Sequence, residues 1–468
     1  MGIEHKNGGS SSLDLNVPLL LDQNQSKLKD LEASDSDDVN FIGTTSFSKT
    51  CFNGLNALTG IISFLFSCCH QSITIFLFVF FFIVFCMYMP GIGILSTPYA
   101  LASGGWISLI LLFTIATATF YSGLLIQRCM DWDPNIKTYP DIGYQAFGRK
   151  GKVIVSVLMH MELYLVATGF LILEGDNLQN LLPNVEYFEF GGLTIGGKQG
   201  FIIIVALIIL PTVWLDNLSL LSYISATGVL ASLFIIGSVL WIGVFDGIGF
   251  QQRGEFINWD GIPTAVSLFA FCYCAHPVFP TLYSSMHKRH QFSNVLIVCF
   301  VLGTLCYASM AILGYLMFGS EVQSQITLNL PTNKLSSRIA IYTTLVNPIS
   351  KYALMVTPII NATEAWFPYH FNKRLFRHIV GTSVVMSTVL VALAVPFFGS
   401  LMSLVGAFLS INASVTLPCL CYLKISGSYQ KFNGEMVGIG LVIVMGIFVL
   451  IFGTYVSLID IIYMSKIW

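Results

Sequence analysis

Gly91-Ile92-Gly93-Ile94-Leu95-Ser96-Thr97-Pro98-Tyr99-Ala100 stands directly after an oily, Phe-rich run from Ile61 to Pro90, and this junction decides the fold. Glycine loses the most freedom on entering a helix and proline removes a backbone donor, so Gly-x-Gly-Ile-Leu-x-x-Pro inside an apolar span is poor helix. In hydrocarbon every backbone N–H and C=O must find a partner, so such a break is tolerated only where it is buried in protein or lines a polar cavity. The stretch therefore predicts a discontinuous membrane helix. The bland alternative is a close-packing surface, since glycine is common in membrane helices, but two glycines with a proline a few residues on favour the break.

Composition points the same way. Hydrophobic residues make up 55% of the 468 and charged residues 10%, with mean hydropathy +0.77, whereas soluble domains carry about 25% charged residues. The chain reads as an all-α polytopic membrane protein with the lipid bilayer as its solvent. A net charge of -2 and a pI near 6.4, with Lys and Arg scattered through connectors, leave no basic stripe and no nucleic-acid partner. The eleven cysteines fall in apolar runs or beside cytosolic segments, which argues against a disulfide framework. Cys272-x-Cys274 and Cys419-x-Cys421 have the wrong spacing and partners for zinc, so no metal is expected. No Walker loop, His-Glu-x-x-His, nucleophile elbow or dinucleotide fingerprint is present. The sequence is not that of an enzyme and calls for no cofactor; without an ATP site, uphill movement of a solute must draw on an ion gradient.

Residues 1–50 are polar, Ser-rich and acidic (Asp30, Glu32, Asp35, Asp37, Asp38) and read as a disordered cytosolic tail. Within them Asp14 to Leu20 approaches an acidic dileucine sorting signal, with the acid one residue too far from the leucines. Residues 51–468 form the transmembrane domain. Apolar runs long enough to cross about 30 Å of hydrocarbon cover 61–89, 105–126, 153–174, 200–215, 221–245, 262–285, 294–318, 339–360, 378–397, 400–423 and 436–458, which makes eleven spans. Alternate connectors from 127–152 onward carry most of the cations, among them Arg128, Arg149, Lys150, Lys288, Arg374 and Lys424, while the opposite set holds only Lys198, Arg253, Lys334, Arg338 and Lys466. The positive-inside rule then puts the N-terminus in the cytosol and the C-terminus outside or in a lumen.

A second break falls in the sixth span, at Phe271-Cys272-Tyr273-Cys274-Ala275-His276-Pro277-Val278-Phe279-Pro280. Two prolines three residues apart remove two donors, and His276 beside them titrates near neutral pH, which makes it a candidate for substrate contact or proton relay. Breaks in spans one and six, five apart, are what a 5+5 inverted repeat predicts, with each repeat opening on a discontinuous helix. Glu162, deep in the third span, must face the bundle or be neutralised and is a second proton-coupling candidate. Glu174 and Asp176 at the end of that span read as solvated, Lys351 as paired or a polar strut, and Asn361 and Asn412 as bridges between helices.

These motifs resemble the amino acid/auxin permease family, most closely its plant vacuolar-type amino-acid transporters. The resemblance rests on Phe52-Asn53-Gly54-Leu55-Asn56-Ala57-Leu58-Thr59-Gly60, on Gly91 to Ala100 with Gly104-Gly105-Trp106, on Thr138-Tyr139-Pro140-Asp141-Ile142, on Leu173-Glu174-Gly175-Asp176-Asn177-Leu178 and on His276 to Met286. It implies an eleven-helix carrier of the inverted-repeat (APC/LeuT-like) fold, moving neutral amino acids with protons by alternating access at an endomembrane, the vacuole. It also implies a substrate site made of Thr59, Gly91, Ile92, Gly93, Ile94, Tyr273, Cys274 and His276, with Asn56 and Thr59 leading into an unwound stretch from Gly91 to Ile94.

One departure stands out. The family pattern runs from Asn-Ala-Leu-Ser/Thr-Gly straight into the Gly-Ile-Leu-Ser motif, yet here residues 61–90 intervene, enough for a whole span. The leading reading is an insertion from a translated intron or faulty gene model; the rival is a genuine variant in which the run serves as the first span. A non-transporting amino-acid sensor and a carrier inactivated by the insertion are the alternative functions.

Overall fold

The computed structural model describes residues 92–133, 135–190, 192–214, 234–286, 289–364, 373–427 and 434–467. The tail, the Phe52 to Gly60 motif and the run from 61 to 90, with the first expected span, lie outside them. The chain is a polytopic helical membrane protein: among the described residues seven helices are long and apolar enough to cross a bilayer, and Gly197–Val213 and Phe234–Phe245 are shorter apolar helices.

In chain order, α1 (Gly93–Gly104) is followed by α2 (Ser108–Trp132) and the long α3 (Tyr139–Leu181). A hairpin of β1 (Tyr187–Phe190) and β2 (Leu193–Gly196), antiparallel with Tyr187 opposite Gly196, leads into α4 (Gly197–Val213). Next come α5 (Phe234–Phe245), α6 (Ile262–Cys272), α7 (Phe279–Ser285), α8 (Phe292–Phe318), α9 (Leu335–Glu364) and α10 (Lys373–Ala394). The last two spans are α11 (Phe398–Leu404), running through two π-helical stretches into α12 (Leu417–Ser426), and α13 (Gly434–Ile467).

The expected spans coincide with these helices wherever both are described, and the differences are at the ends. Helix α3 begins well before residue 153, because Thr138 and Asp141 form a capping box and Pro140 occupies an opening position. It turns at Gly148, whose φ of +66° only glycine adopts readily, so its first turns form a separate segment ahead of the span. The hairpin after α3 escaped the sequence reading because its strands are only four residues each. Helix α9 is long enough to cross but falls outside the seven most apolar, since it buries Asn347, Ser350 and Lys351.

Helix α1 is the centre of the bundle, packed against α6 and α8, while α3 packs against α4, α9 and α10. At the α1–α2 corner, Gly105 at φ +76° leaves room for a loop whose Phe256 carbonyl would stand 2.8 Å from any Cβ placed there. Trp106 seals the corner by donating Nε1–H to the Arg253 carbonyl at 2.8 Å. Elsewhere Arg128 of α2 pairs with Glu435 of α13, with side chains 48% and 40% exposed. Exposed pairs contribute little, so Glu435→Gln is expected to lower stability by less than about 1 kcal/mol; a larger drop in the melting temperature of detergent-solubilised protein would show that the pair is a structural lock.

Candidate functional site

Helix α1 opens at Gly93, with Ile92 as its N-cap and no capping side chain. Of the stretch expected to be unwound, Ile92 has helical φ and ψ, and Gly93 and Ile94 already belong to the helix; Gly91, like Thr59, lies outside the described residues. The correction has a physical cause. Pro98 offers no N–H to the Ile94 carbonyl, which accepts the Thr97 hydroxyl at 3.0 Å instead, and Ser96 serves the Gly93 carbonyl at 3.1 Å. Back-bonding hydroxyls let the helix persist through a proline.

The second break is present. Helix α6 stops at Cys272, the chain runs irregularly from Tyr273 to Ala275, makes a 3₁₀ turn at His276–Val278 and resumes as α7. Pro277 and Pro280 each fall in the first positions of a new helical piece, where a missing N–H costs nothing. Neighbouring groups take up the carbonyls left over. That of Cys272 accepts the Tyr307 hydroxyl at 3.1 Å, and that of Tyr273 accepts the Ala275 N–H at 3.0 Å and the Ser414 hydroxyl at 3.4 Å.

The start of α1 and the α6–α7 break meet directly. The Cys272 thiol donates to the Gly93 carbonyl at 3.5 Å, and a Cβ added at Gly93 would stand 3.0 Å from that sulfur. Ile92, Ile94, Tyr273 and His276 are buried and Cys274 is half-buried. Tyr273 donates or accepts a hydrogen bond with Thr304 at 2.8 Å, stacks on Phe300 with centroids 5.8 Å apart and meets Tyr307 edge-on.

His276 is bound to α2. Its Nε2 lies 2.8 Å from the Thr119 carbonyl and 2.9 Å from the Ser122 hydroxyl. A carbonyl only accepts, so Nε2 carries a hydrogen, and this bond is independent of any proton on Nδ1. Ser122 in turn donates to the Ser414 carbonyl at 2.5 Å. On the other flank, Ser410 donates to Glu162 Oε1 at 2.5 Å, and the Cys274 thiol neighbours both. Ser410 and Ser414 lie on the π-helical stretches Val405–Ser410 and Asn412–Thr416, so one irregular segment holds the flanks of both proton-relay candidates.

The sequence reading missed this stretch and its partners Thr119, Ser122, Thr304 and Tyr307. The available signal was Gly406 with two serines four apart in an apolar run, too weak to separate from ordinary packing. Two other readings change. Glu174 is fully buried rather than solvated, and Asp176 pairs with Lys198 of α4. Asn361 accepts from Arg377 of α10 at 3.0 Å and so links helices, whereas Asn412 donates to the Phe408 carbonyl of its own segment. Among the described residues no group of three or more His, Cys, Asp or Glu could hold a metal ion.

The profile of the family described as "Transmembrane amino acid transporter protein" matches residues 78–459. The chain belongs to this family. It is 56% identical over 422 residues to the amino acid transporter AVT1I of Arabidopsis thaliana, covering 90% of this chain and 96% of the relative. It is 57% identical over 434 residues to AVT1J of the same plant, covering 92% and 95%, and 44% identical to AVT1B over 80% and 69%. Members of the transmembrane amino acid transporter family are carriers, not enzymes, with amino acids as substrates and the bilayer as surroundings. The family match takes in the start of α1 and the α6–α7 break but begins at residue 78, inside the apolar run, so Asn56 and Thr59 precede it.

Proposed function

We propose that the protein is a secondary active transporter of neutral amino acids across the vacuolar membrane, coupled to protons and working by alternating access on an eleven-helix 5+5 repeat. The N-terminal tail is cytosolic and the C-terminus lumenal. The observation that carries this reading is the contact of Gly93 with Cys272, where the start of α1 meets the break between α6 and α7 inside the bundle. The first amides of a helix precede its regular hydrogen-bond ladder, so the start of α1 suits a substrate carboxylate, while the broken backbone at Tyr273 and Cys274 faces its amino group. Ile92 and Ile94 supply apolar walls, and Thr59 and Gly91 complete the site. Glu162, beside Cys274 and Ser410, is the coupling acid: a proton gained there changes the charge next to the break. His276, held to α2 through Nε2, fixes the break's geometry.

Residues 61–90 are an insertion, and removing them reunites Thr59 with the Gly91 motif. The test is uptake of labelled neutral amino acids into sealed vesicles, with and without an imposed proton gradient, by the full chain and by a chain lacking 61–90. Gradient-driven uptake stronger in the shortened chain is expected. Uptake by the full chain alone would make the run a genuine span, and no gradient-dependent flux from either would end the transporter reading.

A further inference from the structure

Glu174 lies near the C-terminal end of α3, fully buried, and neither of its carboxylate oxygens has a hydrogen-bond partner among the described residues. Such a group in a dry interior requires a compensating positive charge. Among the described residues, no charged group on the elements packed against α3 hydrogen-bonds to it. Lys198 of α4 pairs with Asp176 and donates to the Pro396 carbonyl at 2.6 Å. Arg377 of α10 and Lys424 of α12 lie at the opposite ends of their helices, since Pro396, beside Lys198, joins the end of α10 to the start of α11. Lys351 is buried on α9 and makes no hydrogen bond to Glu174.

A relay of fixed amides runs from the partly exposed Asp176–Lys198 pair to the side of Glu174. The Asp176 carboxylate can only accept, so the Gln325 amide nitrogen points at it, at 3.1 Å. The Gln325 oxygen then faces the Asn177 nitrogen at 2.8 Å, and that nitrogen also donates to the Leu173 carbonyl at 2.8 Å. Asn177 is thereby committed to presenting its oxygen elsewhere, and this buried Oδ1 has no donor. Glu174 and Asn177 are three apart on one helix, hence neighbours on its surface. These two helix neighbours carry three buried oxygens, Glu174 Oε1 and Oε2 and Asn177 Oδ1, with no donor among the described residues. A proton on Glu174 would remove its buried charge and turn one of its oxygens into a donor for Asn177 Oδ1.

We infer that Glu174 and Asn177 form a proton-binding site at the lumenal end of α3, with the Asp176–Lys198 pair at its mouth, which loads the proton used in transport. The inference rests on the proton-coupled, N-terminus-in reading given above.

The test uses the full chain in vesicles. In E174Q, which is neutral at every pH, accumulation driven by a pH step is expected to fall to an inside-to-outside ratio of about one, whereas gradient-free exchange of labelled for unlabelled amino acid stays within about twofold of the unmodified protein. Accumulation that persists in E174Q would make Glu174 a permanently neutral strut and overturn the inference. If exchange is lost as well, the unmodified protein decides: an apolar carbodiimide, which adds to protonated carboxyls, should label Glu174 in acid and spare it in alkali, read by mass spectrometry of the peptide. Labelling at both or at neither would overturn the site. An unmodified protein that exchanges but never accumulates would end proton coupling itself, while the labelling would still report on Glu174.

Discussion

Transport by a Gly406→Ala protein is expected to fall at least about tenfold, with a loss of stability at or above the top of the about 1–3 kcal/mol usual for overpacking. The methyl carbon would stand 1.9 Å from the Ser267 carbonyl oxygen of α6 and 3.1 Å from Phe271 Cβ. A backbone carbonyl cannot rotate aside as a flexible side chain does, so the π-helical stretch must move away from α6. The shift propagates to Ser410 and Ser414, four and eight residues on, which hold Glu162 and the Tyr273 carbonyl. Gly438→Ala is the control, because nothing lies within 4 Å of a Cβ at that position on α13. Thermal unfolding and amino-acid exchange of the two proteins, side by side, check the expectation. Equal behaviour would mean that α6 and the π-helical stretch are not in register as described.

His276 gives the second large effect, through a pair of substitutions. His276→Ala removes the bond to the Thr119 carbonyl and opens a cavity at the break, and exchange is expected to drop at least about tenfold. His276→Gln keeps an N–H that can reach the same carbonyl and cannot titrate, so exchange should return to within about threefold of the unmodified protein, with accumulation still following the proton gradient. A glutamine protein that exchanges but no longer follows the gradient would move the coupled proton from Glu162 to His276.

Much of this was readable from residue order. Hydropathy runs placed the described helices because membrane spans must be long and apolar, and Pro277 with Pro280 located the α6–α7 break because two missing donors three residues apart leave little choice. Glu162 was found as a carboxylate with no business in lipid. The failures share a cause as well. Gly93 and Ile94 look unwound until the Ser96 and Thr97 hydroxyls are seen bonding back to their carbonyls, a matter of side-chain rotamers that the order of residues does not state. Glu174 looks solvated at the end of a span until the fold buries it, with Gln325, nearly 150 residues beyond Asp176 and Asn177, bonded to both of those neighbours. The π-helical stretch left only the faint signal of Gly406 and two serines, and the close approach of Gly406 to the Ser267 carbonyl is visible only in the fold.

Helix α13 has a consequence of a different kind. Its thirty-four residues, mostly facing away from the bundle, extend about 51 Å at 1.5 Å per residue, against an apolar core of about 30 Å. Either the helix leans or its ends ride in the headgroups, where exposed Tyr455 and Tyr463 suit an interfacial belt. Because α13 packs along α11 and the π-helical stretch, its lean is mechanically joined to the element that holds Glu162 and the Tyr273 carbonyl. Bilayer thickness thus becomes a physical input to the carrier, and acyl-chain length a variable to be fixed in any vesicle in which its rate is compared.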